Sequence, residues 1–141
     1  MQATLLEHEQ AGTTDDPAYE EACLVFYNHH VCRVPWSESV TRSFAQMPNE
    51  VYMTMNGPSE FHCIGTLRTW DVTPRLGEIT IPTLVISGRY DEATPRISKE
   101  VSDGIPGAEW VLFEESSHMP HEEEPERFRQ VVGDFLAEHD S

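Results

Sequence analysis

The chain has 141 residues, with 9 Lys and Arg against 25 Asp and Glu, and a formal net charge of −16. That balance argues against nucleic acid and anionic membrane surfaces as partners, since phosphates and headgroups recruit clustered basic side chains. At 38% apolar and 24% charged, the composition suits about one globular domain by length. No run approaches the ~20 apolar residues of a membrane helix, and residues 1–12 carry no basic signal-peptide start. The three cysteines, Cys23, Cys32 and Cys63, form no regular framework, and the expected compartment is the reducing cytoplasm.

In chain order, Asp15-Asp16-Pro17 reads as a helix start, with an acidic cap and proline in the first turn. The helix behind it is expected to run to about Arg33, where Val34-Pro35 ends it. Ser37 caps a second expected helix through Met47, with Val40, Phe44 and Met47 at helical spacing. Residues 48–79 predict only short helices and turns. From there the pattern sharpens. Thr83 to Ser87 is a continuous apolar run ending at Gly88, as in a buried parallel strand. A helix over Pro95–Asp103, a strand over Glu109–Phe113 and an amphipathic helix over Pro125–His139 follow. On that last helix Phe128, Val131, Val132, Phe135 and Leu136 share one face. Strand, helix, strand, helix is an α/β pattern. Because parallel sheets are buried on both faces, two strands predict the last part of a larger doubly wound domain.

Asp91 follows the first strand in GRYDEATP and His118 follows the second in EESSHMPH. They are 27 residues apart, the same separation as Leu84 from Val111. That equal offset sets both at the sheet edge where open α/β folds bind ligands. An Asp and a His so placed can pair, the carboxylate fixing the tautomer of an imidazole that acts as general base. A turn aspartate and a loop histidine would leave the same trace. The acid-then-histidine order is also that of the last two members of an α/β-hydrolase triad.

The segments HHVCRVPW, VYMTMNGPSEF, TWDVTPRL, IPTLVISGRYDEATP and SSHMPHEEEPERF resemble, in order, the C-terminal half of proline iminopeptidases, α/β-hydrolases with a helical cap. The resemblance runs from about residue 17 to 137. It implies a partial helical cap over residues 1–75 and the C-terminal part of the hydrolase core over 76–141, holding its last two parallel strands and helices. It implies Asp91 as triad acid and His118 as triad base. It also implies that Glu60 and Glu92 form a paired anionic site for a substrate's free amine, with Tyr52 near the substrate. Composition alone would leave both glutamates as solvated surface groups.

The nucleophile is expected to lie outside this chain. A G-x-S-x-G elbow is absent from the sequence, and Gly57-Pro58-Ser59-Glu60-Phe61 has Phe where the second glycine must stand. The resemblance therefore implies a chain beginning inside the cap, a truncated product that needs the N-terminal half of the hydrolase domain. Its substrates would be short peptides with a free N-terminal residue, preferably proline. Weighed against this serine aminopeptidase are a non-catalytic remnant or interaction fragment of the same fold, and an esterase or amidase with the same acid and base. No cofactor is called for. His29, His30 and Cys32 lack a second ligand pair at zinc spacing, so no metal is expected, and His30 and Cys32 look structural within the resemblance. Glu122, Glu123, Glu124 and Glu126 read as a solvated charge run at a helix N-terminus, with His121 orienting that helix.

Overall fold

The computed structural model describes residues 1–47 and 49–140. Residues 48 and 141, which fall in the segment of expected short helices and at the end of the expected core part, lie outside the described residues. The chain divides into two compact units, Met1–Asn28 with Pro35–Trp70, and His29–Val34 with Asp71–Ser141.

The first unit is helical. Helix α1 (Gln2–Ala11) was not signalled by any apolar stripe: Leu5 is buried while its neighbour Leu6 is exposed. It ends at Gly12, whose φ of 68° is the left-handed value glycine adopts without a Cβ penalty. Helix α2 (Pro17–His30) starts as the sequence predicts, with Asp16 Oδ1 accepting the Ala18 N–H at 2.8 Å. It stops at His30 rather than Arg33, because the His30 carbonyl accepts the Glu92 N–H instead of a further helical turn. Helix α3 (Glu38–Ala45) is capped by Ser37, whose Oγ accepts the Val40 N–H at 3.3 Å. Helix α4 (Asn49–Met55) and a 3-10 turn at Thr66–Thr69 complete the unit. Its core joins Leu5, Tyr19, Ala22 and Cys23, with Tyr27 and Phe61 packed against them.

The second unit holds a sheet of two strands among the described residues, β1 (Leu84–Gly88) and β2 (Glu109–Phe113), paired in parallel. Helix α5 (Pro95–Gly104) makes the crossover and packs on both strands and on the 3-10 turn Thr73–Glu78, where Leu76 is buried. After β2 come the short helix α6 (Pro120–Glu123) and helix α7 (Pro125–His139). Phe113 is fully buried, with the Phe128 ring 6.3 Å away and the Arg127 guanidinium 4.4 Å above its face. Phe128, Val131, Val132 and Phe135 are half-buried as the helical stripe predicts, but Leu136 is 58% exposed.

The register corrects one inference. Leu84 pairs with Glu109, not with Val111, and Gly88 pairs with Phe113. Asp91 and His118 are therefore not equally far past their strands. The loop after β2 takes up the extra residues by folding back, so that the Tyr90 N–H donates to the Ser116 carbonyl at 3.0 Å.

Gly88 allows that return. A Cβ built there would fall inside contact distance of the Ser116 and Ser117 carbonyl oxygens. These are backbone atoms that cannot step aside cheaply. Gly88→Ala is expected to destabilise the second unit by at least about 1–3 kcal/mol, the usual range for overpacking. A urea titration monitored at Trp110, which lies in β2, measures it; an unchanged midpoint would show that the loop yields.

Candidate functional site

Asp91 and His118 meet. Nδ1 of His118 lies 3.0 Å from Oδ1 of Asp91. The same Oδ1 accepts the Ala93 N–H at 2.9 Å, a turn that fixes the carboxylate's orientation. The Asp91 side chain is 7% exposed and that of His118 49%. A carboxylate can only accept, so Nδ1 carries the proton, and in the neutral ring Nε2 is then the basic nitrogen. A buried acid orienting a half-exposed imidazole is the arrangement of a general base and its partner.

The loop bearing His118 is held by groups the sequence reading assigned to solvent. Glu123 Oε2 accepts the Ser117 N–H at 2.7 Å, and Oε1 accepts the Ser117 hydroxyl at 2.8 Å. Glu124 Oε2 accepts the Ser116 hydroxyl at 2.6 Å and the Glu115 N–H at 3.3 Å. Both serines are fully buried, and Glu122, Glu123 and Glu124 are half-buried. The acidic run is thus no solvated cap. Two of its members replace water for buried hydroxyl and amide donors, which charge-assisted bonds satisfy well. Only Glu126 is the exposed surface group expected. His121 is exposed and lies edge-on to Phe128, with ring centres 5.8 Å apart.

The loop bearing Asp91 is held by residues 30–33. His30 Nδ1 donates to the Tyr90 carbonyl at 2.8 Å, and the His30 carbonyl accepts the Glu92 N–H at 3.3 Å. His30 is therefore a strut for the Asp91 turn. Cys32 is buried, and burial pushes its thiol up from the ordinary cysteine value, away from the reactive thiolate. Glu92 is half-buried beside Asp91 in this second unit.

Tyr52 and Glu60 come together in the first unit. Asn56 Nδ2 donates to the Tyr52 hydroxyl at 3.0 Å and to the Ser59 carbonyl at 2.8 Å. Burial first, then the nearby Glu60 carboxylate, push the Tyr52 pKa well above the usual phenol value. Around the pair lies a pocket of about 340 Å³ whose other lining residues include Met47, Val51, Met55 and Leu67. Asn56, which carries no sequence signal of its own, ties the turn together: its carbonyl also accepts the N–H groups of Ile64 and Gly65.

Ser59 has no nucleophile's setting. It is fully buried, and its Oγ is 2.9 Å from the Tyr19 hydroxyl. Burial pushes the Tyr19 pKa up to about 12, so this phenol offers no base at neutral pH.

No described helix is long and apolar enough to cross a membrane, and no family model matches the chain. Known proteins do. The chain is 40% identical over 140 residues to the proline iminopeptidase of Heyndrickxia coagulans, covering 96% of this chain and 48% of that protein. It superimposes on the crystal structure of VinJ with a TM-score of 0.93 and 49% identity, over 98% of this chain and 48% of VinJ. Against the crystal structure of the Mycobacterium smegmatis proline iminopeptidase the TM-score is 0.84 and the identity 49%, over 98% of this chain and 47% of the other. The chain spans about half the length of the relatives it matches. By sequence and by fold, it is similar to the C-terminal half of proline iminopeptidases and carries the C-terminal part of an α/β-hydrolase.

Proposed function

We propose that this chain supplies the acid and the base of a serine aminopeptidase that releases N-terminal proline from short peptides. Asp91 orients His118, and His118 Nε2 takes the proton of a serine hydroxyl as that oxygen attacks the scissile carbonyl. The same proton is then delivered to the leaving amine. The serine and its oxyanion donors come from the other half of the hydrolase domain. The first unit, with Tyr52 and Glu60, belongs to a helical cap, and Glu60 receives the free amine. The working compartment is the cytoplasm. The observation that carries this reading is the 3.0 Å bond between Asp91 and His118, from loops that follow adjacent parallel strands.

The expected result with the isolated chain is no turnover of a prolyl-arylamide, since covalent catalysis needs an activated nucleophile. Expressed together with the complementary half of the M. smegmatis enzyme, the chain should restore turnover, and His118→Ala in this chain should abolish it. Turnover by the chain alone that disappears in Ser59→Ala would overturn the assignment. Restored turnover indifferent to His118→Ala would overturn it too.

A further inference from the structure

The loops bearing Asp91 and His118 are joined directly by the Tyr90 N–H and the Ser116 carbonyl, and residues 30–33 add a second link between them. The Arg33 guanidinium lies 3.7 Å above the centre of the Tyr90 ring, next in sequence to Asp91. Its Nη1 donates to the Glu115 carbonyl at 3.1 Å. The Arg33 backbone N–H donates to Glu123 Oε1 at 2.8 Å, on the same carboxylate that binds both donors of Ser117, next in sequence to His118. Three residues earlier, His30 grips the carbonyl of Tyr90 and the N–H of Glu92, on either side of Asp91. One short segment therefore touches both flanks of the acid and, through Glu123, the residue before the base. Resting on the acid–base reading, we infer that Arg33 is a positioning residue that sets His118 against Asp91 by bridging their two loops.

A planar guanidinium suits this task. It covers an aromatic face while its edge nitrogens stay available as donors, which an ammonium cannot do. Arg33 also brings a fixed positive charge to the His118 loop, which Glu114, Glu115, Glu122, Glu123 and Glu124 flank. Its removal should let the loops part without removing either member of the pair. A displacement near 1 Å is enough to cost about 100-fold in rate in a positioned site. In the assembled enzyme, Arg33→Ala should therefore lower kcat by about that factor with KM little changed, because Arg33 touches no substrate.

The deciding measurement is the tautomer of His118 in the full 141-residue chain, read from ring nitrogen shifts in 15N-histidine spectra at about pH 9, where imidazoles are neutral. The wild-type chain should show the Nδ1–H form, and Asp91→Ala should lose that preference. Arg33→Ala should lose it as well, with Asp91→Ala adding nothing further. Arg33→Lys, which keeps the charge and the stem, should fail in the same way; retention of the Nδ1–H form in either Arg33 variant overturns the inference. Should Arg33→Ala unfold the chain by circular dichroism, Arg33→Lys decides. Tyr90→Leu, which removes the stack from the other side, decides if both unfold. A wild-type chain lacking the Nδ1–H form would sink the acid–base reading itself. A preference that is present but indifferent to Arg33 sinks only this inference.

Discussion

Glu60→Gln in the assembled enzyme is expected to lower the specificity constant for free-amine substrates by about 30- to 1000-fold, equivalent to ~2–4 kcal/mol. A unit charge ~4 Å from a carboxylate at an effective dielectric near 20 gains about 4 kcal/mol, and desolvation takes back part of that. The expectation rests on Glu60 being the amine's partner. Its neighbour Tyr52 has its hydroxyl fixed by the Asn56 Nδ2 donor at 3.0 Å and is near enough to feel the carboxylate. Tyr52→Phe should act in the same direction but less, by about tenfold, the loss of one hydrogen bond to a charged group. Substrates with an acylated N-terminus carry no charge and should respond little to either change. The sign of the pH dependence follows from the amine. Activity on free-amine substrates should fall as pH rises past about 8, where an α-amino group loses its proton. Steady-state kinetics on matched free and N-acetylated prolyl substrates separates the cases. An equal loss on both would mean that Glu60 shapes the first unit instead of reading the amine.

The elements that could be read from sequence are those whose signal is local. β1 and β2 stand out as short apolar runs bounded by Gly88 and by Pro106-Gly107, and Ser37 and Asp16 announce helix starts through their own hydrogen bonds. Register does not have that property. Two apolar runs slide past one another without changing which residues are apolar, and only the hydrogen-bonded ladder shows that Leu84 faces Glu109. Helix α1 was missed for a related reason, since Leu5 and Leu6 sit side by side and mark no face. That Asp91 and His118 meet is legible because both follow parallel strands on the same sheet edge. The groups that hold them are not. Glu123 and Glu124 have the composition of a solvated cap, and their role depends on Ser116 and Ser117 being buried against them. His30 and Arg33 lie far along the chain from the loops they bind, and no spacing rule connects them.

Asp91 and His118 should also fail as a unit, and the order of the losses tests the geometry. Removing the carboxylate outright, Asp91→Ala, takes away both the tautomer and the charge that steadies the imidazolium, and kcat should fall by about 10⁴-fold. Asp91→Asn should cost less here, between about 10- and 1000-fold, the range a single neighbouring charge moves an ionisation. The reason is that both bonds to Asp91 fall on one oxygen: Oδ1 takes the Ala93 N–H and also faces His118 Nδ1. An asparagine whose carbonyl oxygen stays on the Ala93 N–H keeps an acceptor against the ring and forfeits only the charge. If Asp91→Asn instead equals Asp91→Ala, the amide has turned its NH₂ toward His118 and forced the proton to Nε2, and the Ala93 turn is weaker than its 2.9 Å bond indicates. His118→Ala should be at least as severe as Asp91→Ala, and adding Asp91→Ala to it should cost nothing more, because an orienting acid has no effect without a base to orient. Single-turnover rates on a prolyl-arylamide, measured for both single variants and the double, test that order. Additive losses would mean that Asp91 and His118 act in separate steps.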